Sequence, residues 1–160
     1  MPRFTSSTVL ERDPASTGGM KNILFGGTTA GTPAAHVGFL LLRVIGGLSL
    51  AFAHGLGKVP PSDGFIGRVT GMGFPMPELF AWLSATAEFG GGLLLALGLF
   101  TRPAAFLVVG NMVIVALMAH AGDPFSGREK AVLFGAIALF CLLAGAGRYS
   151  LDALFRRRVR

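Results

Sequence analysis

Hydrophobic residues in this chain form four long continuous runs that do not alternate with polar residues. The runs cover about residues 36–57, 77–100, 103–120 and 129–147. A helix crosses the hydrocarbon core of a bilayer with about 20 apolar residues, whereas the strands of a membrane barrel alternate over about ten. The pattern therefore predicts four transmembrane α-helices, which we call spans one to four.

Proline and glycine mark the ends of these spans. Pro77 and Pro103 stand where spans two and three begin, at positions where the missing N–H of proline costs nothing. Gly145 and Gly147 follow span four and favour a helix end. Because the turn between spans two and three is very short, these two helices should be antiparallel neighbours. The predicted fold is all-α, an integral membrane four-helix bundle with up-down-up-down topology.

A further helix is predicted between spans one and two. The connection contains "FIGRVTGMGF", in which Phe65, Ile66, Val69 and Met72 recur at helical spacing. A short helix of this kind suits the membrane interface. We expect it on the outer face, as a lid over the mouth of the bundle.

Composition agrees with a surface that faces lipid. Hydrophobic residues make up 52% of the chain and charged residues 14%, against about a quarter charged in a soluble domain. A net charge of +6 would suggest nucleic acid as the partner of a soluble protein, but here the basic residues lie in tails and short loops. We therefore expect the lipid bilayer as a partner and no nucleic acid. Cys141, the single cysteine, is interpreted as an inert buried thiol.

The basic residues also predict an orientation. One side holds both termini and the turn between spans two and three, and its basic residues are Arg3, Arg12, Lys21, Arg102, Arg148, Arg156, Arg157, Arg158 and Arg160. The other side holds Lys58, Arg68, Arg128 and Lys130. By the positive-inside rule both termini are cytoplasmic, in a bacterial-type inner membrane. Residues 148–160 form a basic tail that sets topology or, as an alternative, touches anionic lipid.

The first 35 residues are predicted to be a polar and flexible tail. Residues 1–19 lack the apolar core of a secretory signal, and Met20 is an alternative start of the chain. Residues 36–147 then form the four-helix domain.

Two ionisable residues and one amide lie deep inside the spans: Arg43 in span one, Glu88 in span two and Asn111 in span three. At about 1.5 Å of rise per residue, the three reach depths within a few ångström of one another. Ionisable groups inside a membrane turn to the interior of a bundle, so we predict an Arg43–Glu88 ion pair, completed by the amide of Asn111. Such a network either serves function or only fixes helix register, and both interpretations stay open.

A second polar layer is predicted where His54 ends span one and His120 ends span three, with Lys58 and Glu129 at the same level. Asn111 and His120 are nine residues apart, which places them on opposite faces of an ideal helix, so a helix distortion or different partners are required. Axial haem ligation by the two histidines is a weaker alternative, because both lie near the water interface. No metal site is expected, since a clear third and fourth ligand are missing.

Small residues on span two suggest a cleft for a flat ligand. Ser84, Glu88 and Gly92 share one helix face, where a neighbouring backbone or a ring can come close. Trp82 is an interfacial anchor or, alternatively, stacks on the ring. The candidate quinone cleft consists of Glu88, Ser84, Gly92, Trp82, His54, His120 and Lys58.

Several stretches together resemble the DoxX family of small four-span membrane proteins. They are "LLLRVIGGLSLAFAHGLGKVP", "GMGFPMPELFAWLSATAEFGGGLLLALGLFTRPAA", "MAHAGDPFSGREKAVL" and "LLAGAGRYSLDALF", within about residues 20–155. The resemblance implies a link to quinone-coupled oxidation of sulfur compounds, to redox-defence complexes or to accessory membrane subunits. It carries over Arg43, His54, Lys58, Glu88, Arg102, His120 and Glu129 as family-pattern residues, without catalytic roles.

Three functional hypotheses follow. The first is a small membrane component of a quinone-linked redox system, with candidate functional residues Glu88, Arg43, His54 and His120 and with electrons supplied by a partner subunit. The second is a non-catalytic accessory or scaffold subunit of a larger membrane complex, or a homo-oligomer. The third is a small carrier or channel, disfavoured because four short helices leave little room for a pore. Whether the chain is itself an enzyme stays open.

Overall fold

We analysed a computed structural model, which describes residues 31–158; within this range the chain is helical and contains no strand. The predicted flexible tail lies outside the described residues except for its last five, and so does Met20. The helices are α1 (Pro33–Lys58), α2 (Asp63–Gly71), α3 (Pro77–Leu97), α4 (Thr101–Ala119), α5 (Phe125–Ala144) and α6 (Leu151–Arg158).

Three of these helices, α1, α3 and α4, are long and apolar enough to cross a membrane. Helix α5 has 20 residues but carries Arg128, Glu129 and Lys130 in its first two turns. The four-span arrangement therefore remains a prediction at this point.

Local sequence explains where the long helices begin and end. Helix α1 begins at Pro33, earlier than predicted, because the Thr32 hydroxyl accepts a hydrogen bond from Ala35 N at 3.2 Å and caps the helix. Helix α3 ends at Leu97 rather than at Phe100, because Gly98 takes a left-handed conformation with φ 67°. Pro77 opens α3 as expected, whereas α4 begins at Thr101, two residues before Pro103.

Helices α1 and α4 each contain a π-helical segment near one end. These segments are Ser49–Gly55 in α1 and Val115–Ala119 in α4, where His120 N donates to Val115 O at 3.1 Å. A wider π turn rotates the following side chains relative to an α-helix, and such segments are frequent at functional sites. The first segment contains His54, and the second is followed directly by His120.

Helix α3 lies at the centre of the packing and contacts α1, α2 and α4, while α5 packs mainly on α4 and also on α1. We use two names for the ends of this assembly. The histidine end holds His54, Lys58 and His120, and the arginine end holds Arg43 and the α3–α4 turn.

Charged side chains are buried within the apolar core of this protein, while many large apolar side chains are exposed. Arg43, Glu88 and Asp152 are among the largest fully buried side chains. Large apolar side chains are exposed on all the long helices, for example Ile45, Leu83, Phe106 and Leu143. Polar groups inside and apolar groups outside are the arrangement that a hydrocarbon solvent selects.

Of the two short helices, the sequence predicted α2 but not α6. Helix α2 is present where the spacing predicts it, and it buries Phe65 and Val69 in a cluster with Ala81 of α3. Helix α6 lies where we expected only a basic tail, and its Asp152 and Ala153 are buried.

Candidate functional site

Glu88, in the middle of α3, is the centre of a buried polar cluster. Its side chain is 2% exposed. Oε1 accepts hydrogen bonds from Lys58 Nζ at 2.6 Å and from Asn111 Nδ2 at 3.0 Å. Oε2 is buried and has no hydrogen-bond partner in the described part of the chain. The structure thus brings Glu88 and Asn111 together, with Lys58 as the cation.

The predicted Arg43–Glu88 ion pair does not form. Arg43 Nη1 donates to Leu95 O at 2.9 Å and to Ala96 O at 3.1 Å, and Nη2 donates to Tyr149 O at 2.6 Å. The last carbonyls of a helix lack partners within that helix and favour a cation, so Arg43 caps the C-terminal end of α3. Lys58 instead reaches Glu88 from the last turn of α1.

Lys58 also connects this cluster to α2. Its Nζ lies 5.2 Å from the centre of the Phe65 ring, and the Arg68 guanidinium lies 5.6 Å from the same ring. A cation over an aromatic face is electrostatically attracted to it. Helix α2 is therefore held at the histidine end by the same lysine that neutralises Glu88.

His120 follows the π segment of α4 and pairs with a carboxylate. His120 Nδ1 lies 2.6 Å from Asp123 Oδ2, and Arg128 Nη2 donates to Asp123 O at 2.6 Å. Because a carboxylate oxygen accepts, Nδ1 is the ring nitrogen that donates in this contact. Both side chains of the pair are partly exposed to solvent.

A cavity of about 610 Å³ lies between α2, α3 and α4. We call it the apolar cavity, because most of its wall is aliphatic or aromatic, including Val69, Phe80, Leu83, Phe106 and Ile114. Its polar positions are few: Lys58, Arg68, Ser84, Thr86, Asn111 and His120. Asn111 and His120 line one cavity despite their spacing of nine residues, because the π segment between them changes the rotation of α4.

A second cavity, of about 420 Å³, lies between α1, α3, α4 and the start of α5. We call it the polar cavity. Its wall includes His54, Lys58, Glu88, His120, Ser126 and Lys130. Lys58, Val115 and His120 line both cavities, so the two cavities adjoin at these residues. Of the first predicted layer, Glu88 and Asn111 lie at this site and Arg43 does not. Of the second predicted layer, His54, Lys58 and His120 line the polar cavity and Glu129 does not.

Comparison with known proteins places the chain in a family. The family model described as DoxX matches residues 38–121, just over half of the chain, and its range includes Lys58, Glu88, Asn111 and His120. This chain belongs to the DoxX family.

Two curated relatives are similar to this DoxX chain. It is 29% identical to "Inner membrane protein YphA" of Escherichia coli (strain K12) over 128 residues, which cover 74% of the chain and 91% of the relative. It is 35% identical to "Putative oxidoreductase CatD" of Bacillus subtilis (strain 168) over 99 residues, which cover 59% of the chain and 69% of the relative. No solved structure matches the chain at a significant level.

Other predicted site residues of this DoxX chain fall outside the cluster. Trp82 is exposed and lines neither cavity, and Glu129 is also exposed and lines neither. Gly92 is buried against Gly47 of α1, so a helix rather than a ligand occupies the space beside it. Arg102 Nη2 donates to Leu143 O at 3.4 Å, near the end of α5. Of the remaining members of the predicted cleft, Ser84 lines the apolar cavity.

The His54–His120 pair lines one cavity, but the ring of His54 packs edge-on against Phe134, with centroids 5.2 Å apart. Among residues 31–158, no group of three or more His, Cys, Asp or Glu side chains is placed to hold a metal ion. The geometry at the histidine end supports proton exchange and hydrogen bonding.

Two acidic residues of this DoxX chain were missed by the sequence analysis. Asp123 stands three residues after His120, within reach across a turn, and that spacing was a usable signal. Asp152 accepts hydrogen bonds from Phe100 N at 2.9 Å, Thr101 N at 3.0 Å and Thr101 Oγ1 at 2.8 Å, and so caps the start of α4. No local pattern signals this contact, because the residues are about fifty positions apart.

Proposed function

We propose that this DoxX chain is the small membrane component of a quinone-linked redox system and that it holds a quinone in the apolar cavity. One observation carries the proposal: the wall of this cavity is apolar, yet Lys58, Asn111 and His120 meet in it beside the buried Glu88. A quinone is likewise mostly apolar with a few polar atoms, since its ring and tail are apolar and it carries two carbonyl oxygens. Ligand sites in proteins share this character, with apolar walls and a few placed polar groups.

The polar groups have complementary tasks toward such a ligand. A quinone takes up protons with electrons on reduction and releases them on oxidation. The Lys58 ammonium and the amide of Asn111 are hydrogen-bond donors for its carbonyl oxygens. His120, oriented by Asp123, can give or take a proton at one ring nitrogen. Electrons come from, or pass to, a partner subunit.

The membrane placement follows from the same surfaces. Helix α5 spans about 30 Å at 1.5 Å per residue and exposes Leu133, Leu139, Phe140 and Leu143, which supports it as the fourth span of an up-down bundle. Its charged first turns then lie at the interface, where long cationic side chains reach water. Helix α2 lies at the same interface and covers the apolar cavity. The name of YphA supports a bacterial inner membrane, and the name of CatD supports redox chemistry.

Binding of a short-chain quinone analogue to the purified protein in lipid nanodiscs tests the proposal. Ile114 lines the apolar cavity, whereas its neighbour Val113 is exposed and lines neither cavity. We expect saturable binding that Ile114→Trp weakens by about tenfold or more, because the indole occupies the cavity. Val113→Trp is the matched control and should bind as the parent does.

Equal binding by both variants, or no saturable binding by the parent, contradicts the proposal. If the parent binds no analogue but purifies with other membrane subunits, the accessory-subunit hypothesis is favoured instead.

A further inference from the structure

Glu88 occupies a special position, because its two carboxylate oxygens have different surroundings. Oε1 is held by Lys58 and Asn111, which both line the apolar cavity. Glu88 itself lines the polar cavity, and its Oε2 is buried without a protein partner in the described range. A buried carboxylate oxygen in this state requires a hydrogen-bond donor, and water is the donor that a polar cavity of about 420 Å³ admits.

We infer that the polar cavity is a water-filled proton path between Glu88 and the surface at the histidine end, separate from the apolar cavity. The inference rests on the proposed function for the source of the protons. The path needs no group beyond those on its wall, and it runs beside the apolar cavity rather than through it.

The far end of the path is open to solvent. Ser126 and Gly127, in the first turn of α5, line the polar cavity and are exposed. The partly exposed His120–Asp123 pair stands at the same end. The titratable or charged groups that face this cavity with Glu88 are His54 and Lys58 from α1, His120 from α4 and Lys130 from α5.

Each proton moves in balanced steps. Lys58 passes a proton from Nζ to Glu88, so that one N–H bond breaks and one O–H bond forms, and the pair becomes neutral. Rotation of the carboxyl group exchanges its two oxygens, and Glu88 then loses the proton to water in the polar cavity. Lys58 takes a proton from a hydroxyl group of the reduced ligand in the apolar cavity, which restores the ion pair. On reduction of the ligand the same steps run backward.

Thiol accessibility tests the water path without any quinone. Met112 is 4% exposed and lines the polar cavity, whereas Val108, one turn earlier on α4, is 0% exposed and lines neither cavity. A charged, membrane-impermeant methanethiosulfonate reacts with a thiolate, which requires water. We expect it to modify Met112→Cys about tenfold or more faster than Val108→Cys. The parent protein, in which the fully buried Cys141 is the only thiol, serves as the control for background reaction.

Equal reaction rates for Met112→Cys and Val108→Cys overturn the inference. If Met112→Cys does not fold, as judged by its elution and unfolding temperature, Leu50→Cys takes its place, since Leu50 is 2% exposed and lines the same cavity.

Proton transfer is measured in a second arm, on protein that has bound the quinone analogue. An electrode reduces the analogue, and a pH-sensitive dye follows proton uptake at equal occupancy. Uptake should slow by about tenfold or more in Glu88→Gln and in modified Met112→Cys, because the acid or its water is lost. Unchanged uptake in Glu88→Gln overturns the inference. Absence of analogue binding contradicts the proposed function, whereas the thiol arm still decides whether water reaches Glu88.

Discussion

At the scale of single residues, the buried charges of this chain differ in what holds them. Arg43 is bound by three backbone carbonyls, and Asp152 is bound mainly by backbone N–H groups. Glu88 is bound by two side chains, Lys58 and Asn111, through Oε1, and its Oε2 accepts no hydrogen bond within the described residues. A charge held by the backbone is part of the scaffold, while a charge held by a titratable side chain can change its partner. This difference is why we assign function to Glu88 and structure to Arg43.

The Lys58–Glu88 pair predicts a non-additive effect on stability. Lys58→Met removes the cation and leaves a buried carboxylate with Asn111 as its only protein donor in the described range, which should lower the free energy of unfolding by about 3 kcal/mol or more. Removal of both charges in Lys58→Met with Glu88→Gln should cost less than Lys58→Met alone, because no uncompensated charge stays buried. Thermal unfolding in one detergent measures all three variants. A double variant less stable than Lys58→Met contradicts a buried ion pair.

At the scale of elements, α1 and α3 approach so closely that only glycine fits at their contact. A Cβ atom added to Gly92 would lie 2.7 Å from Gly47 O and 2.9 Å from Ala51 N. Both are backbone atoms of α1, so they can move away from the added Cβ only if the helix itself shifts. The same atom on Gly90 would meet only Thr86 Cγ2 at 3.7 Å, an ordinary contact. Small residues thus serve helix packing here, and the apolar cavity is lined by other residues of α3.

Alanine substitutions at Gly92 and Gly90 should therefore differ in their effect on stability. Gly92→Ala should lower the free energy of unfolding by about 1–3 kcal/mol, because it forces α1 and α3 apart. Gly90→Ala is the matched control on the same helix, and it should change stability by less than about 1 kcal/mol. The unfolding temperatures of the two variants check this, and a Gly92→Ala protein as stable as Gly90→Ala would refute the close crossing.

At the scale of the whole molecule, a cluster at the arginine end joins the C-terminal segment to the membrane helices. Arg43 of α1 binds the end of α3 and Tyr149, while Asp152 of α6 caps α4 and its N–H donates to Gly98 O at 2.9 Å. Four helices are thereby linked by one buried set of hydrogen bonds. The position of α3 relative to α4, and so the shape of the apolar cavity, depends on residues after position 147.

Truncation tests this dependence. A chain that ends at Gly147 loses Tyr149 and Asp152, which leaves buried donors of Arg43 and Thr101 without acceptors. We expect it to lose about 3 kcal/mol or more of stability, since each unsatisfied buried group costs about 1–3 kcal/mol. A chain that ends at Phe155 keeps these contacts and removes only Val159 and four arginines, so it should unfold at nearly the parent temperature. Equal unfolding temperatures for the two truncations would contradict the role of α6.

The crossing of α5 and the orientation of the chain are tested together in intact cells. Gly122 and Arg157 are both exposed and lie on opposite sides of α5 in the sequence. An impermeant thiol reagent added outside should label Gly122→Cys and not Arg157→Cys, because the basic side stays in the cytoplasm. Labelling of Arg157→Cys and not of Gly122→Cys would show that the orientation is opposite to the predicted one. Labelling of both or of neither would show that α5 does not separate the two residues across the membrane.

The sequence predicted the elements of this protein better than their contacts. Long apolar runs, Pro77 and the spacing of Phe65 and Val69 were sufficient to place helices, because these are local signals. The pairing of Glu88 with Asn111 also followed from depth along the helices. Its pairing with Arg43 was wrong, since rise per residue locates a backbone and does not show which way a long side chain extends.

By itself, the sequence determined an all-helical membrane chain of the DoxX family, with Glu88 buried at its centre. Hydropathy and helical spacing are properties of neighbouring residues, so they can be read without a fold. Only the tertiary structure decided that Lys58 neutralises Glu88, that Asp152 caps α4 and that π segments turn Asn111 and His120 toward one cavity. These outcomes depend on groups distant in the chain and on small rotations of helices, and packing alone sets both.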